Sequence, residues 1–403
     1  MPVRDDATGL PLLWLPAGFR YTSFGWSGDP LRDGPRTPRG HDGMAAFAAG
    51  PGRVRLVRNH ELSGDDGAFS GRRPYDPAAA GGTTTVEFDT ARARQVDAWT
   101  SLSGTLTNCA GGPTPWGTWL TCEETIDGPA LTNHLTRPHG FVFEVHPDGG
   151  SEPTPLEDMG RFVHEAVAVD PATGIVYETE DRSTAGLYRF LPREPGRLAA
   201  GGRLQILAVA GQPRYDTRTR QKRGTRLPVE WIDIADPSGG GEELGVFREG
   251  HGKGAARFGR LEGAWYGGGA VYVVSTNGGD EDQGQIWAYR PATNDLELIF
   301  ESPGADVLDN PDNICVSPRG GLALCEDGNG TQFLRCLTRD GRMLPFAQNA
   351  VVLDGERNGR RGDFTNREFA GATYSPDGEW LFFNIQTPGI TFAVTGPWGD
   401  GGL

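Results

Sequence analysis

The chain has 403 residues, with 61 Gly, 30 Pro and only 37% hydrophobic residues, so it is long for one compact core and rich in turns. Its formal net charge of −15 excludes general nucleic-acid and membrane-surface binding, because phosphate-bearing surfaces repel such a protein, and leaves metal cations as natural partners. Five cysteines without a CxxC pair imply no disulfide framework. No apolar run approaches the roughly 18 residues of a membrane span, and residues 1–20 lack the pattern of a secretory signal.

Taken in chain order, the sequence repeats one unit: a polar residue followed by small ones, a tight turn, a β-rich strand, and polar residues again. The first copy is degenerate, running from Asp42-Gly43-Met44 through a strand at 54–57 to Asn59-His60-Glu61. The second opens at Asn108-Cys109-Ala110, turns at Thr114-Pro115-Trp116-Gly117 and ends on Glu123-Glu124. The third opens at Glu165-Ala166-Val167, turns at Asp170-Pro171-Ala172-Thr173-Gly174 and ends on Glu180-Asp181. After an expected insertion at about 190–255, the fourth runs from Glu262-Gly263-Ala264 through Tyr266-Gly267-Gly268-Gly269 to Asn277. The fifth runs from Asp312-Asn313-Ile314 through Ser317-Pro318-Arg319-Gly320 to Glu326-Asp327. The sixth runs from Glu368-Phe369-Ala370-Gly371 through Ser375-Pro376-Asp377-Gly378 to Asn384 and Gln386. The turns are hairpin chemistry, Pro pre-setting φ and Gly accepting positive φ.

Six copies predict an all-β, six-bladed β-propeller with insertions between blades, as one domain over 1–403. If each turn lies at one end of a hairpin, the polar residues before and after it lie together at the other end, facing one mouth of the axis. Two carboxylates about 5 Å apart repel by roughly 3 kcal/mol at an effective dielectric near 20, and this axis gathers many. Cations must compensate, and oxygen ligands in such number suit Ca²⁺.

Cys109 is the one cysteine at a predicted axial position. A thiolate suits iron or zinc rather than Ca²⁺, although a small buried core cysteine is an equally open reading. Cys122, Cys315, Cys325 and Cys336 fall among apolar strand residues and are expected in the core. His60 and His164 adjoin Glu61 and Glu165, and strand alternation points them away from the axis. Arg260 lies two residues from Glu262, so on a strand the two share a face and the guanidinium is able to clamp a phosphate; a surface charge is the plainer alternative. No Gly-x-Ser-x-Gly elbow, P-loop, dinucleotide fingerprint or His-Glu-x-x-His helix occurs.

The segments Asn59-His60-Glu61, Asn108-Cys109-Ala110-Gly111-Gly112 through Trp116-Gly117-Thr118-Trp119-Leu120-Thr121-Cys122-Glu123-Glu124, Arg260-Leu261-Glu262-Gly263 and Asn384-Ile385-Gln386-Thr387-Pro388-Gly389 resemble the PhoX-type alkaline phosphatase family, over about 18–395. The resemblance implies a propeller carrying two Fe(III) and several Ca²⁺ ions in its axis and hydrolysing phosphate monoesters. It further implies that Cys109 bridges the irons, that Glu61, Glu165 and Glu262 bind them, and that Arg260 holds the substrate phosphate. Asn59, Glu124 and some of Asp309, Asp312, Glu326 and Glu368 are expected to serve calcium, and Asn108 joins the metal-site candidates. The chain looks like a compact relative, expected to be monomeric and to act in the periplasm or outside the cell on a small phosphate ester. Two rival readings are a non-catalytic calcium-binding platform and a Ca²⁺-dependent lactonase or esterase on the same scaffold.

Overall fold

A computed structural model describes residues 2–399 and 402–403. It is all-β apart from short 3₁₀ turns and one short helix, Gly245–Gly252, among the described residues, and no helix is long and apolar enough to cross a membrane.

The strands form antiparallel meanders in a propeller-like arrangement. One sheet runs outward from His41–Ala48 through Arg53–His60 and Gly81–Asp89 to Arg94–Thr105, and the next from Asn108–Pro113 through Trp119–Glu123 to Val142–Val145. A nine-stranded sheet follows, with His164–Val169 at one edge and Leu261–Gly267 at the other. Pro311–Val316 begins a five-stranded sheet and Phe369–Tyr374 a four-stranded one. The six separate blades expected from the repeat therefore appear as four separate sheets and one continuous nine-stranded sheet.

The reason lies in the segment 190–255. It contributes Gly202–Val209 and Arg226–Asp233 to the ladder, and Arg226–Asp233 pairs antiparallel with Asp295–Glu301 of the next meander, fusing the two. Leu227 and Val229 on that strand are buried while their neighbours Pro228 and Glu230 are exposed, the period-2 pattern of a half-buried strand. Inside the fused sheet Tyr177, Leu187 and Leu207 pack with Val271, Val273 and Trp287, each such burial contributing about 1.5–3 kcal/mol.

The innermost strands pack side by side from His41–Ala48 round to Phe369–Tyr374 and back, so the ring is closed. Small residues permit this approach: a Cβ on Gly43 would stand 2.5 Å from Ala110 Cα, and one on Gly112 would stand 1.9 Å from Val167 O, each on the neighbouring inner strand. The ring's seam joins the two ends of the chain, for Arg20–Phe24 forms the outer edge of the sheet built from Phe369–Tyr374, Leu381–Ile385 and Ile390–Thr395. Across the seam the buried Arg58 donates to Gly25 O at 2.9 Å and to Thr391 Oγ1 at 2.6 Å.

Candidate metal centre

At its axial end every innermost strand carries one extra residue relative to its partner, between His41 and Met44, Asn108 and Gly111, His164 and Val167, Leu261 and Ala264, Pro311 and Ile314, and Ala370 and Thr373. A bulge frees a residue from the ladder and re-aims its side chain. In five of the six strands the first freed residue is Asp42, Cys109, Glu165, Glu262 or Asp312, and all five line one axial cavity of about 330 Å³. The residues that directly follow the second strands, Glu61, Glu124, Asp181, Asp327 and Gln386, line it too. With Glu368 the lining holds nine carboxylates, against two guanidinium groups, Arg260 and Arg367.

Ligand atoms of Cys109, Glu124 and Glu165 lie within 4.8 Å of one another, as do those of Asp42, Glu61 and Glu368, of Glu165, Glu262 and Asp312, and of Asp312, Asp327 and Glu368. Each charged pair at that separation repels by about 3.5 kcal/mol at an effective dielectric near 20. Burial first, then neighbouring acids, pushes Asp42, Glu124, Glu165, Glu262 and Glu368 well above the usual carboxylate range, and Asp312 up to about 8. Burial and then Glu165 likewise raise the Cys109 thiol, which touches the Glu165 carboxylate. Without cations the site is therefore stable only with protons on its acids. Overlapping oxygen-donor triads and one thiol fit several metal ions sharing ligands, the oxygen-rich part suiting Ca²⁺ and the thiol-bearing part a softer transition ion.

Arg260 binds Asp181 through two parallel hydrogen bonds of 3.0 and 2.9 Å and also contacts Glu262. Burial works against its charge, but hydrogen bonding to Asp181 and the Glu262 charge raise its pKa overall. It meets Glu262 by a different route from strand alternation. Arg260 precedes the strand Leu261–Gly267 and has a left-handed φ of +36°, at the position where other repeats place Gly40, Thr107 and Asn310, also left-handed.

Of the residues expected at the site, Glu61, Cys109, Glu124, Glu165, Arg260, Glu262, Asp312 and Glu368 come together in the cavity. Asn59, Asn108, Asp309 and Glu326 do not line it, and each has a structural occupation. Asn59 donates to Cys109 O and Ala110 O and accepts from Trp119 Nε1 and Thr121 Oγ1, so both ends of its amide are occupied, the amino end by the backbone of the Cys109 bulge and the oxygen by two side chains of the next strand. Asn108 is hydrogen-bonded to Thr105 and Thr121. Glu326 ion-pairs with Arg335 at 2.7 Å and accepts from Asp309 N and Phe333 N. Asp309 accepts from Asn329 N at 2.8 Å.

Glu326 is the last residue of Leu322–Glu326 and turns into its sheet, whereas Asp327 aims at the axis. The same division separates Glu123 from Glu124 and Glu180 from Asp181. Asp42, Asp181, Asp327 and Gln386 were thus missed as site residues although each stands at the beginning or end of a repeat; alignment of Asp42 with Glu165, and of the other three with Glu124, was the available signal. Asn366 and Arg367 come from outside the repeat, and no sequence signal marks them. His60 and His164 point away, His60 toward Thr84 Oγ1 and Arg39 O, His164 toward Gly160 O with its ring stacked on Phe162. Cys122, Cys315, Cys325 and Cys336 are buried in apolar surroundings.

The family model Alkaline phosphatase PhoX matches residues 1–389. Among solved structures, the chain is similar to Pseudomonas fluorescens PhoX in complex with vanadate, a transition state analogue, at 18% identity and a TM-score of 0.73, covering 98% of this chain and 97% of that one. A more distant likeness is to XC5397 from Xanthomonas campestris, a gluconolactonase, at 14% identity and a TM-score of 0.48, covering 95% of this chain and 91% of that one. No curated protein matches. With its family model spanning almost the whole sequence, the chain belongs to the PhoX alkaline phosphatase family.

Proposed function

We propose that the chain is a metal-dependent phosphatase that hydrolyses phosphate monoesters in the axial cavity. The observation that carries this reading is the convergence of nine carboxylates, one thiol and an oriented arginine on a single cavity, in a member of a phosphatase family. The whole chain, 1–403, is read as one six-bladed propeller domain in which the nine-stranded sheet counts as two blades. Its metals are two Fe(III) and several Ca²⁺, with Cys109, Glu61, Glu165 and Glu262 holding iron and Asp42, Glu124, Asp312, Asp327 and Glu368 serving calcium.

Bound metal ions supply the positive charge that offsets the carboxylates and polarises a phosphoryl group. The protein's own part is orientation. Arg260, fixed by Asp181 and Glu262, keeps its guanidinium ready to stabilise negative charge that develops on the phosphoryl oxygens. Gln386 donates its amide to Glu61 and, at 3.4 Å, to Asp42, aligning both carboxylates. The reading includes a small phosphate ester as substrate, a monomeric protein, and action in the periplasm or outside the cell.

The test is p-nitrophenyl phosphate hydrolysis by metal-reconstituted protein together with elemental analysis for Fe and Ca. Cys109→Ala is expected to lose iron and at least about 100-fold in rate. Equal rates for the variant and the wild type would refute the proposal.

A further inference from the structure

The two guanidinium groups of the cavity are held in opposite ways. Arg260 is locked by carboxylates, whereas Arg367 is exposed at the mouth and, among the described residues, pairs with no carboxylate. Its backbone, however, is firmly placed. Arg367 follows a two-stranded ribbon, Val352–Asp354 paired with Arg361–Asp363. The buried Asn349 donates its amide to both Phe364 O and Arg367 O at 2.8 Å. The tip of the ribbon is tied down by Arg357 to Asp29 at 2.9 Å and by Arg360 to Ser27 Oγ at 2.7 Å.

These bonds hold the main chain, so residue 367 stands at the rim of the cavity whatever its side chain, and the arginine there sets the charge of the rim. Here an anchored loop from outside the repeat brings a free cation to the rim of an acid-lined cavity. Arg260, beside Asp181 and Glu262, serves the phosphoryl group; Arg367 adjoins Glu368, at the rim that the organic part of an ester must pass. We infer that Arg367 is a specificity-determining residue that binds a second anionic group on the alcohol portion of the substrate, so that the enzyme favours phosphate monoesters carrying a carboxylate or further phosphate. A guanidinium pairs with either group through two parallel hydrogen bonds.

This inference rests on the phosphatase reading, and the experiment separates the two. Wild type, Arg367→Ala and Arg367→Lys, each loaded with metal, are compared on p-nitrophenyl phosphate and on 3-phosphoglycerate. Arg367→Ala is expected to lose about tenfold in kcat/KM on 3-phosphoglycerate, mainly through KM, and less than about twofold on p-nitrophenyl phosphate, with Fe and Ca content unchanged and Arg367→Lys in between. Equal losses on both substrates, or none, overturn the inference while leaving the phosphatase reading intact. A metal-loaded wild type that hydrolyses neither ester overturns both.

Discussion

Glu326 and Asp327 are adjacent acids that the structure sends to opposite tasks, so exchanging their chemistry separates folding from metal binding. The Glu326 side chain is 1% exposed and its partner Arg335 is 8% exposed. Removing one member of a buried pair costs about 3–5 kcal/mol, because the other charge stays buried alone. In Glu326→Ala, Asp309 N and Phe333 N also lose their acceptor, so about 4 kcal/mol is a conservative total. At roughly 2.1 cal/mol/K per residue, a 403-residue chain has an unfolding entropy of about 0.85 kcal/mol/K, which converts 4 kcal/mol into a drop in Tm of about 5 °C. Asp327→Asn removes one of the cavity's nine carboxylates and touches no such buried pair. Differential scanning calorimetry and elemental analysis on the same samples decide the matter. Glu326→Ala should melt lower when metal-free, and Asp327→Asn should lose calcium with little change in the metal-free Tm. The opposite pattern, calcium lost from Glu326→Ala at unchanged Tm, would refute the division of labour described here.

Two further outcomes follow from the axis. In metal-free protein the folded state holds protons on Asp42, Glu165, Glu262, Asp312 and Glu368 more tightly than the unfolded chain does. Their stabilising contribution is complete below the ordinary carboxylate range, near pH 4, and is lost as pH rises through the folded-state values, with Asp312 at about 8. Metal binding, which needs deprotonated ligands, strengthens over the same range. Thermal melts with and without chelator should therefore diverge progressively from about pH 5 to 8, and parallel curves would contradict the electrostatic account. Gly112→Ala sets a Cβ 1.9 Å from Val167 O, where only backbone movement relieves the clash; a loss of about 3 kcal/mol, or roughly 4 °C, is expected. Gly71→Ala, with open space around the new Cβ, is the control and should leave the calorimetric Tm unchanged.

The legible part of the site was the part carried by the repeat. The pairing of an acid or thiol with a small residue, as in Glu165-Ala166 or Glu262-Gly263, has a direct physical meaning: the first is released by a bulge toward the axis, and the second lets neighbouring inner strands touch. Where reasoning from alternation failed, the backbone had broken the period of two. At a strand's end the side chain follows the next turn, so Asp327, like Glu124 in its own copy, lines the cavity, whereas Glu326, which the family resemblance offered for calcium, turns into its sheet. Arg260 met Glu262 by way of a left-handed residue that alternation does not anticipate. The fusion of two meanders runs through the strand Arg226–Asp233, with Leu227 and Val229 buried, in the long interval between copies that read as an insertion. Arg367 owes its place to Asn349 and to a ribbon with no counterpart in the other copies.

The seam of the ring has a consequence for biogenesis. Asn384 reaches Asp42 O at 2.7 Å, and Gln386 reaches Glu61, so early-made and late-made stretches of polypeptide supply facing walls of one chamber. A growing chain emerging from the ribosome holds Asp42 and Glu61 long before their counterparts exist, and it owns no finished receptacle for ions. The complete chamber therefore exists only after circularisation, which comes late and through contacts of very large sequence separation that are slow to form.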